Sequence, residues 1–127
     1  MGAGRRGRMP AAWFALARRM VAHARAAWPN ECCGLIARDA RGRSTTIRAR
    51  NASKYRRFSY SLDPAAFFWA AQRGLEPVGV YHSHVEGGTR PSRLDTPPWP
   101  GARTMIVALS AARPLSAARP RAPGLRP

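Results

Sequence analysis

The hydrophobic positions between residues 10 and 27 recur every three or four residues. They are Trp13, Leu16, Ala17, Met20, Ala24 and Ala27. This spacing places them on one face of an α-helix, Pro10 suits the first turn of such a helix, and Pro29 follows its end. The pattern therefore predicts an amphipathic helix over residues 10–27 whose apolar face packs against a sheet.

Strand patterns follow this helix. Residues 31–38 form a short apolar segment, residues 39–42 contain turn formers, and residues 43–50 alternate between apolar and polar positions. An apolar segment, a turn and an alternating segment together predict a β-hairpin. A further alternation over residues 58–62, carried by Phe58, Tyr60 and Leu62, predicts a third strand.

A second helix is predicted after this strand. Asp63 and Pro64 are favourable residues for its N-terminus, and Gly74 is a typical residue just after the end of a helix. We expect the helix to extend to about Arg73. Its core face is expected to contain Phe67, Phe68 and Ala71.

Two more apolar segments, residues 77–81 and 105–109, predict buried strands. The predicted order of elements is α-β-β-β-α-β-β. This order predicts an α/β fold in which a mixed β-sheet is sandwiched by helices.

At 127 residues the chain has room for one domain. We expect a disordered basic tail over residues 1–8, the domain over residues 9–110, and a disordered Arg- and Pro-rich tail over residues 111–127. Four prolines in the last segment argue against a helix and against a central strand. This tail is either an extension or the mark of a truncation that leaves the sheet incomplete at its C-terminus.

The chain is strongly basic, with a net charge of +16. Such a charge raises the alternative of a nucleic-acid binder. However, all but one of the 22 basic residues are arginine, and arginine together with abundant alanine, glycine and proline is typical of a GC-rich coding bias. No helix-turn-helix or zinc-finger pattern accompanies the charge. No apolar run reaches the ~18 residues of a membrane span, so no membrane partner is expected.

Two adjacent cysteines, Cys32 and Cys33, are the whole cysteine content. Adjacent cysteines bridge each other only with strain, and their spacing is unsuited to a zinc pair. We therefore expect both to be structural thiols in a reducing compartment, the cytoplasm.

Three residues that could bind zinc, His82, His84 and Asp95, occur within fourteen positions. Histidines two residues apart on a strand face the same side, so both imidazoles can reach one ion, and an aspartate from the next turn can supply a third ligand. Three protein ligands leave the fourth position to water. The spacing predicts a mononuclear zinc hydrolase site, whereas the alternative for the histidines is a pair of exposed loop residues.

The motif His82-Ser83-His84, seven residues, Ser92, two residues and Asp95, preceded by Glu31, resembles the JAMM (MPN-plus) metalloprotease family in its small prokaryotic form. The resemblance covers about residues 9–110. It implies a JAMM/MPN-like fold and a zinc-dependent isopeptidase or peptidase. The implied substrates are peptide-like bonds after the C-terminus of a ubiquitin-like or sulfur-carrier protein. A non-catalytic MPN-type scaffold is the alternative.

The resemblance also implies roles for two residues that are not metal ligands. Glu31 is expected to be the general base and Ser92 the donor to the oxyanion that develops on the scissile carbonyl. Glu31 could instead be a salt-bridged acid at the start of a strand. Ser92 and Asp95 could form a helix capping box, although the prolines that follow leave room only for a very short helix.

Other charged and titratable residues are assigned less specific roles. Arginines 56, 57, 90 and 93 could guide an acidic partner to the cleft. His23, on the first helix among alanines, is expected to be an ordinary surface residue. The sequence contains no H-E-x-x-H motif, which excludes a thermolysin-type site, and both cysteines precede the histidines, which excludes a zinc deaminase.

Overall fold

The structure, a computed structural model, describes residues 11–85 and 99–109 in full and residues 120–126 as backbone. Two helices and five strands follow in the order α1 (Ala11–Ala27), β1 (Cys33–Arg38), β2 (Ser44–Ala49), α2 (Ala65–Gln72), β3 (Glu76–His84), β4 (Arg103–Ala108) and β5 (Pro120–Arg126). The strands form one sheet in the order β2-β1-β3-β4-β5. All neighbours are antiparallel except β3 and β4, which are parallel. The predicted α/β fold with a mixed sheet is confirmed.

The two helices cover opposite faces of the sheet. On one face, Leu16 and Met20 of α1 pack with Tyr81 and Met105. On the other face, small residues of α2 pack with Leu35 and Val80. Neighbouring residues of a strand point to opposite faces, so each central strand contributes to both cores. No helix within the described residues is long and apolar enough to cross a membrane.

The predicted hairpin is formed by β1 and β2, which are antiparallel with Ile36 opposite Thr46. Asp39 organises its turn, because one of its carboxylate oxygens accepts hydrogen bonds from the backbone amides of Arg41 and Arg43, each at 2.9 Å. Gly42 completes the turn at a φ of 80°, in the left-handed region that glycine adopts without strain.

The predicted third strand is not formed, so the observed order is α-β-β-α-β-β-β. Only one bridge remains, between Asn51 and Leu62. The side chain of Asn51 replaces the expected ladder, since its amide nitrogen donates to the backbone oxygen of Ser59 at 3.1 Å and its oxygen accepts from the backbone amide of Ser61 at 3.0 Å. Asparagine side chains offer the backbone this alternative to sheet pairing.

The predicted core face of α2 is also wrong. Ala66 and Ala70 are the buried residues of this helix, whereas Phe68 is 59% exposed. Small residues on the inner face let the helix approach Leu35 and Val80 closely. Phe67 lies at the edge of this core, where its ring meets that of Trp99 edge to face at a centroid distance of 5.7 Å.

Part of the expected C-terminal tail is ordered as backbone. Residues 120–126 form β5 and pair with β4, with a shift in register between Met105 and Val107. Strand backbone was not expected for these residues, and the extent of a disordered tail stays a prediction. Because β5 is the last strand of the sheet, its prolines cost fewer ladder hydrogen bonds than they would in a central strand. The other domain boundaries stay predictions, and residues 1–8 lie outside the described residues.

Candidate metal centre and catalytic site

The two motif histidines lie at the C-terminal end of β3, on one side of the sheet. The Nε2 atoms of His82 and His84 are 3.2 Å apart. Both side chains are buried, with His82 fully inaccessible and His84 4% exposed. The expectation that the two imidazoles point to one place is met, and the alternative of two exposed loop histidines is wrong.

Neighbouring residues keep the ring of His82 in place. The ring of Tyr60 stacks on it at a centroid distance of 4.3 Å and an interplanar angle of 20°. Tyr60 belongs to the segment in which a strand was predicted, and the sequence pattern did not reveal its contact with a histidine. The only sequence signal was its place in an aromatic alternation, which is equally typical of a sheet core.

The separation of the histidine nitrogens is suitable for zinc. With Zn–N bonds of about 2.0–2.1 Å and tetrahedral angles, two ligand nitrogens are about 3.3 Å apart. The observed 3.2 Å between the Nε2 atoms is close to this value. Within residues 11–85 and 99–109, no third acidic, histidine or cysteine side chain joins them in a cluster that could hold a metal ion. Asp95, the expected third ligand, lies outside the described residues, as does Ser92.

Glu31 lies just before β1 and is buried, with 4% of its surface exposed. Its backbone is held on both sides, because its amide donates to the oxygen of Arg56 at 2.6 Å and its carbonyl accepts from the Asn51 side chain at 3.0 Å. Cys33 is opposite His82 in the antiparallel pair of β1 and β3. Continuing that register by two residues places Glu31 opposite His84.

Ser83, between the two histidines, ties β3 to the segment that carries Glu31. Its side chain is fully buried. Its Oγ accepts a hydrogen bond from the backbone amide of Cys32 at 2.8 Å, and its own amide donates to the oxygen of Cys32 at 3.0 Å. The Ser83 hydroxyl thus accepts the hydrogen bond of the Cys32 amide, which in a regular ladder would pair with a backbone carbonyl. The sequence pattern did not indicate this hydrogen bond of Ser83.

Replacing Ser83 by alanine is expected to lower the free energy of unfolding by about 1–3 kcal/mol, since the buried amide of Cys32 loses its acceptor. Chemical denaturation would measure this loss. Ser44→Ala, at an exposed position of β2, is the matched control and is expected to change stability by less than about 0.5 kcal/mol. Equal effects of the two substitutions would contradict the role of the Ser83 hydroxyl.

The cysteines are buried and free. Burial, the largest cause in each case, raises the pKa of Cys32 to about 11 and that of Cys33 to about 12. Both groups are therefore neutral thiols near pH 7 and poor nucleophiles. The Cys33 thiol donates to the backbone oxygen of Arg50 at 3.7 Å. These observations agree with the predicted structural role.

His23 is not the ordinary surface residue that was expected. Its Nδ1 atom forms a hydrogen bond of 2.7 Å with the hydroxyl of Tyr81, which is fully buried. Burial and then the positive charge of Arg48 lower the pKa of His23 to about 4, so the imidazole is neutral at pH 7. Periodicity could not reveal this contact, because it joins residues 58 positions apart.

A cleft of about 470 Å³ lies beside Glu31, between the end of α1 and the end of β2. Arg56 is one of its lining residues, as is Arg50, whose Nε donates to Asp63 at 3.0 Å. Arg56 thus lies beside Glu31, and neither His82 nor His84 is among the described residues that line this cleft. Arg90 and Arg93 lie outside the described residues.

Known proteins resemble this chain in sequence and in structure. The chain is 36% identical over 76 residues to the tail tip assembly protein K of Escherichia phage N15, a match covering 60% of this chain and 30% of that protein. It is also 36% identical over 81 residues to the desampylase of Haloferax volcanii, covering 58% of each chain. The match thus extends over only part of each curated relative.

Two solution structures have a similar fold. One is a protein from Desulfitobacterium hafniense, with a TM-score of 0.55 and 29% identity over 84% of this chain and 76% of that chain. The other, from Salinibacter ruber, has a TM-score of 0.55 and 30% identity over 83% of this chain and 74% of that chain.

The family comparison covers most of the chain. Residues 15–119 match the model described as prokaryotic homologs of the JAB domain. This range includes both histidines, Glu31 and the whole motif that resembles the JAMM family. The chain therefore belongs to the prokaryotic homologues of the JAB domain, as the motif had indicated.

Proposed function

We propose that this chain is a zinc-dependent hydrolase of the JAMM type. It would cleave isopeptide or peptide-like bonds after the C-terminus of a ubiquitin-like or sulfur-carrier protein. The observation that carries the proposal is the 3.2 Å separation of the Nε2 atoms of His82 and His84 at the buried end of β3. Two buried imidazoles that converge in this way are a typical pair of zinc ligands.

His82, His84 and Asp95 would hold the zinc ion, with one position left for water. Two of the three come from β3, whose pairing with β1 and β4 fixes the backbone between them. When bound, zinc makes a water molecule more acidic and polarises the carbonyl that is attacked. The buried face around His82 excludes bulk water and so strengthens electrostatic interactions in the site.

Glu31 and Ser92 would act on the proton and on the developing charge. A carboxylate oxygen of Glu31 would take the proton from the attacking water and later give it to the leaving amine. The register that places Glu31 opposite His84 supports this role. The Ser92 hydroxyl would donate a hydrogen bond to the oxygen of the scissile carbonyl as it becomes negative.

The relatives support the substrate class. The Haloferax volcanii protein is named a desampylase, and this chain matches 58% of it. On the basis of that name, we propose a ubiquitin-like protein as the substrate of this chain. A sulfur-carrier protein is the second candidate substrate. The phage relative is named for tail tip assembly, so a non-catalytic scaffold is the alternative function.

The test measures both the zinc content of the protein and its turnover of model substrates. A panel of ubiquitin-like and sulfur-carrier proteins, each linked through its C-terminal carboxyl to a fluorescent amine, would be incubated with the zinc-loaded protein. We expect release of the amine, its loss after a chelator removes the metal, and its return when zinc is added. Stoichiometric zinc without turnover on any member of the panel would favour the scaffold instead.

A further inference from the structure

The outer edge of the sheet at β2 carries no neighbouring strand in the described part of the chain. Strand β2 pairs only with β1. Its outer backbone N–H and C=O groups are therefore available to another strand, and such an edge is a ready template for pairing. A cleft of about 760 Å³, here called the edge cleft, lies beside it between α1 and α2.

The edge cleft is lined by four arginines that come from three elements. They are Arg18 and Arg19 of α1, Arg48 of β2 and Arg73 just after α2. None of the described residues that line it is acidic. The two ion pairs among residues 11–85 and 99–109 join Arg43 to Asp39 and Arg50 to Asp63, so they leave the charge of this cleft unneutralised.

Local contacts give the edge cleft some rigidity. The Nε of Arg19 donates to the hydroxyl of Thr46 at 3.0 Å, which anchors one arginine to the edge strand. Trp69, which also lines the cleft, is 47% exposed and meets Phe68 edge to face. Tryptophan and arginine are among the residue types enriched at the positions that contribute most binding energy in protein interfaces.

We propose that the edge cleft binds an extended acidic segment of a protein partner, which adds to β2 as a new strand. Backbone pairing with the free edge would supply affinity, and Arg18, Arg48 and Arg73 would select carboxylates on the partner. The Ala49 end of β2 lies opposite Cys33, where β1 begins. The added strand would therefore end near the segment that carries Glu31.

A nucleic acid fits this surface less well than a peptide does. Its phosphates would use the arginines but not the backbone hydrogen-bonding groups of β2. Trp69 is the single aromatic residue among the described residues that line the cleft, whereas single-stranded nucleic acids are usually bound by several stacking aromatics in succession. The proposal goes beyond the hydrolytic function, because binding at this edge does not require turnover.

The experiment uses a fluorescein-labelled ten-residue peptide in which glutamate and threonine alternate, and fluorescence anisotropy measures its binding. Arg18→Glu/Arg73→Glu is expected to weaken binding at least about tenfold, since two attractive charges become repulsive. Arg41→Glu/Lys54→Glu has the same change in net charge at exposed turn positions away from the cleft and is expected to bind as the unchanged protein does. Circular dichroism would establish that both variants are folded.

Two further measurements separate strand addition from charge alone. A peptide with proline in place of every threonine keeps its carboxylates but loses half of its backbone donors, and it should bind at least about tenfold more weakly. In the unchanged protein, the alternating peptide should slow hydrogen exchange in residues 44–49.

Four results would overturn the proposal. The first is equal weakening by the two double variants, and the second is equal binding of the two peptides. The third is tighter binding of a ten-nucleotide thymidine oligomer that displaces the peptide. The fourth is an absence of binding of the alternating peptide. In that case, the arginines would serve to prevent self-association at the free edge of the sheet.

Discussion

Replacing His82 by alanine is expected to remove zinc from the protein. Structural zinc sites with four protein ligands have binding free energies of roughly 10–16 kcal/mol, or about 3 kcal/mol per ligand. Loss of one of the three protein ligands proposed here should therefore weaken binding on the order of a hundredfold or more. Elemental analysis after dialysis should find about one zinc per chain before the substitution and far less after it. Competition with a chromogenic chelator would give the change in affinity.

The experiment needs controls because His82 is fully buried and stacks on Tyr60. His82→Gln fills more of the space and should lose zinc as well, and His84→Ala should behave like His82→Ala. His23→Gln changes the third histidine of the chain, which forms a hydrogen bond with Tyr81 and is not a proposed zinc ligand. This variant should still bind zinc. An unchanged zinc content in His82→Ala would refute the ligand assignment. Loss of zinc in His23→Gln would indicate that such substitutions remove zinc by disturbing the fold.

The elements with a strong local pattern were predictable from the sequence. Helix α1 and the hairpin of β1 and β2 agree with the predicted segments to within a few residues. Their signals are the spacing of apolar residues and the turn formers at residues 39–42, and both act over short distances along the chain.

The failures have a different physical origin. Residues 58–62 have the alternation of a strand, yet the Asn51 side chain captures backbone groups that a ladder would have used. Helix α2 is apolar on nearly every face, so periodicity could not select Ala66 and Ala70 as the buried positions. In both cases a contact outside the segment decides the outcome.

The candidate site was predictable as a set of residue types but not as an arrangement. The i, i+2 spacing of His82 and His84 was enough to expect that both face one side of a strand. The approach of Glu31 to that strand depends on the register of β1 with β3 and on the bond from Cys32 to Ser83. Register between strands 50 residues apart in sequence is a tertiary property that a local pattern does not encode.

Replacing Glu31 by glutamine is expected to lower hydrolysis on the order of a hundredfold or more, because the amide keeps the shape of the side chain but cannot accept the proton of the attacking water. Zinc content should stay unchanged, which separates this effect from the loss of a ligand. Glu76→Gln, at an exposed position at the start of β3, is the matched control and should retain full activity. Turnover by Glu31→Gln at the rate of the unchanged protein would instead make this buried carboxylate a structural group at the start of β1. The backbone bonds of Glu31 to Arg56 and Asn51 would then be the main contribution of this residue.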